Sequence, residues 1–461
     1  MIRATRSLRK KKLVEHELHV LVQIGQELIK AGTLELSDSM GQFVAAFTYD
    51  ADYLSRAHDG RAYALDPVNL PLRQAPFEST SRYFRLGALF DAAPDAWGRT
   101  VMAADAGVSP TALTESQVLL KGKGSGVGAI MFCVNEPYEP LLALGSQGHL
   151  PALSSLNDIY RTIYAIDTGA QVDPELREML MSSWDIGGAR PKVAVRDDNG
   201  GEWIVKFPRV IDTYSRQRVE WANLQMAKAI GLHVPDVQLQ ELDNGECALL
   251  VSRFDRTYDA DNPQKITRHH YLSAVSLISP PADFDKRKMD TAFGASIFSY
   301  ARIASVIRQI STDITTDLNE LFGRMILNIL VHNTDDHLKN TGFLLDSHAR
   351  GYGYRLSPLF DVVTQEGTIK HMLHIGPGDK GEVLQGRVGT LDNALAGCQQ
   401  WGLDTEVAKE MIGQVSEVVA NRRYFYEQAG MLGPEIDQVE RWVSKELEPV
   451  TGQTNKITRQ P

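Results

Sequence analysis

Apolar and polar positions alternate in short runs near the start of the chain, in HVLVQIG, TLELS and QFVAAFTY, with Gly and Ser turns between them. A period of two buries one face of a strand, so residues 18 to 48 predict a small antiparallel sheet. The period lengthens to a helical one in YFRLGALFDAAPDAWGRTVMAADAG, where Pro94 sits near a helix start and Gly107 near a stop. KGKGSGVGAIMFCV reads as a Gly-rich turn entering a strand. Its Gly122, Gly124, Gly126 and Gly128 invite a phosphate-loop reading. However, the Gly-Lys-Ser/Thr ending is missing and a strand follows in place of a helix, so a turn is expected.

From about residue 150 the pattern changes. LNDIYRTIYAID is helical, and VAV and WIVKF read as two strands joined by a DDNGG hairpin turn. A helix, RQRVEWANLQMAKAIG, follows and is closed by Gly231 and Pro235. VQLQEL and CALLVSRFD are strand-like. Beyond about 256 the amphipathic stretches 294–311, 315–332, 391–400 and 406–430 predict helices, with one hairpin in GFLLDSHARGYGYRLSPLFD. A β-rich half followed by a helical half is a two-lobed α+β design, and the cleft between lobes is the natural ligand site.

The length, 461 residues, calls for two or three packed units. A net charge of -10 argues against an electrostatic nucleic-acid binder. The basic start, Arg3, Arg6, Arg9, Lys10, Lys11 and Lys12, reads as a solvated arm. No apolar run approaches the ~18 residues that span a bilayer. Cys133, Cys247 and Cys398 form no CxxC pair, which argues against a disulfide framework or structural zinc and makes the reducing cytoplasm the expected compartment.

The densest chemistry is HNTDDHLKN, His332 to Asn340, after the apolar LFGRMILNILV. Phosphoryl transfer needs a carboxylate near the attacking hydroxyl and oxygen ligands for magnesium beside the triphosphate. Asp335 and Asn340 stand five positions apart, the spacing at which protein kinases place these groups, and Asp361 ends the hairpin in LSPLFDV. Side-chain capping of the preceding helix accounts for part of this cluster but not for its density. Lys206 in WIVKFP lies on an apolar strand, where an unpaired ammonium is costly, and Glu220 follows on the next helix as its candidate partner. Gly187, Gly188 and Ala189, with Arg190, Pro191 and Lys192 after them, form a small-residue turn that backbone amides could wrap around a phosphate.

DIGGARPK, WIVKFP, VEWANLQMAKAIGLHVP, LLVSRFDR, HNTDDHLKNTGFLL and LSPLFDV together resemble, in this order, the HipA family of bacterial serine/threonine kinases, the toxins of type II toxin–antitoxin modules. The earlier VQIGQEL, LFDAAPDAWGR and GVGAIMF are similar to that family's N-terminal subdomain. The resemblance implies a protein-kinase-like fold with an extra β-rich N-terminal subdomain and a mainly helical C-terminal lobe. The expected divisions are a basic arm at 1–12, the N-terminal subdomain at 13–150, a nucleotide-binding lobe at 151–255, a catalytic lobe at 256–450 and a tail at 451–461. It implies ATP and Mg2+, with Asp335 as the base and Asn340 and Asp361 as metal ligands. His337, Leu338, Lys339 and Asn340 would line the phosphates with Gly187 to Lys192 and Lys206. Ser252, Arg253 and Phe254 would form the adenine hinge, and Phe360 would lie beside Asp361. The family's substrates imply a protein target such as an aminoacyl-tRNA synthetase. Its usual partner is a helix-turn-helix antitoxin, through which DNA is reached indirectly, and no membrane is involved. Where family members carry an autophosphorylated serine, this chain has Asp185, whose charge would either mimic the silenced state in part or remove that control, with Ser182 and Ser183 just upstream as candidate autophosphorylation sites.

Two other readings stay open at this level. One is a pseudokinase-like regulatory module that binds the DNA-binding antitoxin. The other is a metal-dependent phosphohydrolase that draws on Asp336, His337, His371 and His374.

Overall fold

The alternating N-terminal runs form a five-stranded antiparallel sheet. Its strands are β1 (His16–Ile24), β2 (Glu27–Ser37), β3 (Val44–Tyr49), β4 (Phe77–Ser79) and β5 (Ile130–Cys133), in the order β4-β3-β2-β1-β5. The structure is a computed structural model that describes residues 16–37, 43–121, 126–136, 150–170, 190–259, 262, 265–348, 351–378 and 383–443. The basic arm and the tail lie outside these residues. Leu18, Val20 and Val22 of β1 are fully buried, the inward set that the alternation predicts. Of the Gly-rich segment, residues 126–129 lead into β5, and Gly122 and Gly124 lie outside the described residues. Helix Ala96–Ala106 starts two residues after Pro94 and stops at Gly107, whose φ of 65° suits glycine.

A second antiparallel sheet contains β6 (Lys192–Arg196), β7 (Glu202–Lys206), β8 (Val237–Glu241) and β9 (Cys247–Ser252), in the order β6-β7-β9-β8. Its pleat sorts the residues. Val193, Val195 and Val205, with Phe207 just beyond, enter a core with Val101 and Met102 of helix Ala96–Ala106 and Ile159 and Ile163 of helix Leu156–Thr168. Lys192 and Lys206 fall on the opposite face, directly across from each other in the β6–β7 register. Helix Arg216–Ile230 begins at Ser215, whose side chain accepts from Arg218 N, and ends at Gly231 with φ 93°. One of its flanks buries Val219 and Ala222 against Tyr426 and Val439 of the last two helices.

Three strands of three residues each, β10 (Arg256–Tyr258), β11 (Ile266–Arg268) and β12 (Tyr271–Ser273), are too short for alternation to reveal. β12 extends the expected hairpin of β13 (Gly342–His348) and β14 (Gly351–Leu356) into a three-stranded sheet. The amphipathic stretch expected at 294–311 is divided, because Ser299 caps a fresh helix, Tyr300–Ile310, by accepting from Arg302 N. The stretch at 406–430 breaks at Asn421 into Thr405–Ala420 and Arg422–Gln428.

The resulting fold is α+β and two-lobed, with a sheet lobe and a helical lobe. The N-terminal sheet unit does not stand apart from them. One continuous core runs from Leu18, Leu34 and Phe47 through Leu89 and Leu277 to Leu327 and Trp401. Each fully buried large side chain in it contributes on the order of 1.5–3 kcal/mol. Separating the unit from the helical lobe would expose many of them.

Candidate active site

Helix Ile314–Leu330 buries Leu318, Leu321, Phe322, Met325 and Ile326, and delivers the HNTDDHLKN segment to the cleft. Its end is fixed by the backbone and not by the polar side chains that the sequence suggested. His332 N donates to Ile329 O at 3.2 Å and Asn333 N to Asn328 O at 2.8 Å, which is a Schellman arrangement. His332 takes the left-handed position at φ 56°, where glycine is usual. Thr334 and Asp336 are buried on either side of an exposed Asp335.

Across the cleft, Lys206 Nζ donates to Glu220 Oε1 at 2.5 Å and to Asp361 Oδ1 at 2.7 Å. Strand β7, helix Arg216–Ile230 and the turn after β14 each contribute one of these three residues. Asp361 N also donates to Glu220 Oε1 at 3.0 Å, so the glutamate ties both partners together. The two carboxylates differ in access: Glu220 is 4% exposed and Asp361 36%. Desolvation would raise the Asp361 pKa, but Lys206 and then Lys192 hold it well below the usual carboxylate range. Lys206 is affected in the mirror sense. Burial would lower its pKa, and Asp361 and Glu220 override that and raise it. Like His332, Asp361 has a left-handed backbone, at φ 62°.

Asp335 differs electrostatically from Asp361. Desolvation pushes its carboxyl up, His337 opposes this, and the Asp361 charge reinforces it. The two acids therefore titrate far apart, as groups with separate tasks in one site do. Asn340 Nδ2 donates to Asp335 O at 2.9 Å, so its amide oxygen is the atom that can meet a cation. An amide oxygen and an exposed, ionised carboxylate are the hard donors that magnesium takes, so the residues fit that ion. His337 Nδ1 is buried without a hydrogen-bond partner in the described structure.

Asp336, adjacent to Asp335, is a buried anchor. Its Oδ2 accepts from Tyr300 OH at 2.7 Å and from His371 Nδ1 at 3.0 Å, and its Oδ1 accepts from Met372 N at 2.9 Å. His374 Nε2 donates to Met289 O. Asp336 and His371 thus form a hydrogen-bonded tie between the loop and the segment after Asp361. No group of three or more metal-binding side chains occurs among the described residues.

Other expected residues fall elsewhere. Lys339 does not face the triad: its Nζ donates to Asp95 Oδ1 at 2.6 Å and lies 4.6 Å from the Tyr83 ring centroid. The Arg190 guanidinium is engaged by the Asp212 carboxylate. Pro191 O accepts from Phe207 N and Leu338 is core, whereas Lys192 stays with the triad, buried across from Lys206 in the strand register with its charge bearing on Asp361. The hinge expectation narrows. Ser252 N donates to Asp236 O and Arg253 N to Glu202 O, while the Arg253 side chain is 0% exposed in an ion cluster with Asp255. Those two amides and that side chain are spoken for by the sheet and the N-terminal unit. Phe254 remains at the cleft edge, its ring 5.7 Å from Phe360. Gly187, Gly188, Ala189, Ser182, Ser183 and Asp185 lie outside the described residues. Sequence reasoning missed Asp95, whose only local signal was an aspartate at a helix start.

A two-lobed kinase-like fold with a lysine–carboxylate triad in its cleft defines the class. The HipA-like C-terminal domain matches residues 184–422, more than half of the sequence, and the chain belongs to that family. It is 29% identical over 180 residues to the "Putative kinase Y4dM" of Sinorhizobium fredii, a match covering 36% of this chain and 38% of that one. A Haemophilus influenzae protein with the same two-word description is 29% identical over 149 residues, covering 32% of this chain and 40% of that protein. The chain thus spans about two fifths of the length of these curated relatives. Among solved structures, HipA of Shewanella oneidensis MR-1, in complex with HipB and its operator DNA, matches with a TM-score of 0.64 at 18% identity, over 92% of this chain and 94% of that one. At that identity the likeness is one of fold.

Proposed function

We propose that this chain is a cytoplasmic serine/threonine protein kinase that uses ATP and magnesium and acts as the toxin of a HipA-like toxin–antitoxin module. The observation that carries this reading is the contact of Lys206 with both Glu220 and Asp361, at 2.5 and 2.7 Å. Three distant segments converge there on the lysine–glutamate pair and metal carboxylate that phosphoryl transfer requires. Asp335 receives the proton of the acceptor hydroxyl as that oxygen bonds the γ-phosphorus and the bond to ADP breaks. Its raised pKa suits a group that must take up a proton. Lys206 holds the phosphates, released in part from Asp361. Asn340 and Asp361 hold magnesium, which supplies charge neutralisation when bound. Phe254 and Phe360 offer the adenine ring an aromatic edge.

The acceptor is a protein hydroxyl, with an aminoacyl-tRNA synthetase as the candidate target. A small helix-turn-helix antitoxin is the proposed partner, and DNA is engaged only through it. The Shewanella HipA likeness, in complex with HipB and operator DNA, supports that assignment.

Purified protein with labelled ATP and magnesium should phosphorylate itself or a lysate protein. Asp335→Asn should slow transfer by roughly 10²–10⁴-fold, the usual contribution of a positioned base. Phosphosite mapping in cells that express the wild type or Asp335→Asn would identify the target and report on Ser182 and Ser183. A wild-type protein that transfers no phosphate while still binding the antitoxin would overturn the kinase reading in favour of a regulatory module.

A further inference from the structure

The N-terminal unit reaches the catalytic loop at Lys339. Asp95 precedes helix Ala96–Ala106 in the extended conformation of an N-cap, yet its carboxylate makes no capping bond. An aspartate in that position ordinarily accepts from an amide of the first turn. Asp50 does so for its own helix, accepting from Asp52 N at 3.0 Å. Asp95 Oδ1 instead accepts from Lys339 Nζ at 2.6 Å, a bond that joins residues 244 positions apart. Tyr83, from the same unit, places its ring 4.6 Å from that ammonium. The pair is sheltered, with Asp95 20% and Lys339 32% exposed. Arg82 and Lys192 also bear on Asp95, so its carboxylate lies where the N-terminal unit, β6 and the loop meet.

Lys339 sits next to Asn340 and four residues after Asp335. A lysine side chain has many rotamers, and fixing its ammonium restricts the backbone that carries both functional neighbours. Forgoing the cap leaves a helix end less satisfied, and the carboxylate is thereby available to the loop.

We propose that Asp95 is a positioning residue that, through Lys339, holds the loop from Asp335 to Asn340 in its working geometry. The N-terminal unit then completes the active site of the lobe on which it packs. This inference rests on the kinase reading. Looseness of even 1 Å in a reacting constellation slows chemistry markedly, so the effect belongs in kcat and not in nucleotide affinity.

The test compares full-length Asp95→Asn, Asp95→Glu, Lys339→Met and the Asp95→Asn/Lys339→Met double variant. Asp95→Asn should lower kcat by about 10-fold or more and leave the KM for ATP within about two-fold, the pattern of lost transition-state geometry. Its Tm should fall only by the little that one partly exposed ion pair contributes, because no cap is lost. Asp95→Glu should restore part of the rate, and the double variant should be no slower than Lys339→Met alone. As a control, Asp50→Ala should lower Tm and leave transfer unchanged. Hydrogen exchange across 332–341, read without nucleotide, should quicken in Asp95→Asn. Additive losses in the double variant, an unchanged kcat, or unaltered exchange would each overturn the proposal. If the wild type transfers no phosphate, the kinase reading fails on its own, and the exchange comparison still decides whether Asp95 holds the loop.

Discussion

Two clusters of buried charge flank the sheet lobe and use their ions in opposite ways. At the hinge, Asp255 accepts from Arg253 Nε and Nη2 at 3.0 and 2.8 Å, from Arg256 Nη1 at 2.7 Å and from Gly128 N at 2.7 Å. The arginines also donate to Gly126 O, so the cluster pins the end of the N-terminal Gly-rich turn against the hinge. The Arg253, Arg256 and Asp255 side chains are 0%, 1% and 4% exposed. In the cleft, Lys206, Glu220 and Asp361 make an equally short-range cluster, but Asp361 is 36% exposed. A closed cluster, with its lone pairs and protons matched inside the protein, can only hold. One with an accessible carboxylate can exchange a partner for a ligand. Similar residue types thus fasten in one place and stay open to a ligand in the other, and the difference lies in access.

That contrast can be broken by substitution at the two aspartates. Asp361→Asn should reduce phosphoryl transfer by at least about 10²-fold, the scale seen when one electrostatic group is removed from a reacting centre. Its cost in a thermal melt should be smaller than that of Asp255→Ala, since Lys206 keeps Glu220 and the amide oxygen can still accept. Asp255→Ala should do the reverse. It removes the carboxylate nearest to Arg253 and Arg256 and leaves Glu202 at 3.7 Å from each, and should cost about 3 kcal/mol by denaturant unfolding. If Asp255→Ala melts like the wild type, the hinge cluster is not a fastener.

Acid titration sharpens the comparison further. Asp255 is held well below the usual carboxylate range: burial would raise it, and the Arg253 and Arg256 charges overcome that. Asp361 is depressed likewise. A group with a depressed folded pKa contributes its stability above its unfolded value of about 4, and this is lost as pH falls through the folded one. Unfolding free energy should therefore fall below about pH 4, and an Asp255→Asn protein should show a shallower acid limb. The smallest expected effect comes from the unit's other seat. Asp91 accepts from Ser273 N and Oγ, and burial pushes its pKa up to about 6. Here the sign reverses: the folded state keeps its proton longer, so this group's contribution declines as pH rises from about 4 to 6. Asp91→Asn should flatten that slope by about 1 kcal/mol per pH unit in a pH series of melts.

Much of the scaffold was legible in the sequence because periodicity reports burial. The β6–β7 hairpin, helix Arg216–Ile230 and the β13–β14 hairpin all announce themselves through alternation, caps and turn residues. Lys206, Glu220, Asp335, Asn340 and Asp361 were nameable because their types and spacings are unusual in apolar or turn contexts. The contacts of Lys339 and Asp336 were not. Asp95 reaches Lys339 across 244 positions and Asp336 reaches His371 across 35, and no local pattern encodes such a bond. The ion pair of the Arg253 side chain was hidden for a related reason. A strand end specifies the backbone path, while the direction of the last side chain is set by what packs against it, here the Gly126–Gly128 turn.

His332 and Asp361 have left-handed backbones at φ 56° and 62°. Either residue there gives up roughly 1 kcal/mol relative to glycine. Backbone strain alone would therefore favour glycine at both places, with unequal consequences. At 332 the helix stop is made by main-chain bonds that glycine keeps, whereas at 361 the same gain would delete the carboxylate facing Lys206. A descendant that took glycine at 361 would lose the one accessible carboxylate that distinguishes this cleft from a sealed ion cluster.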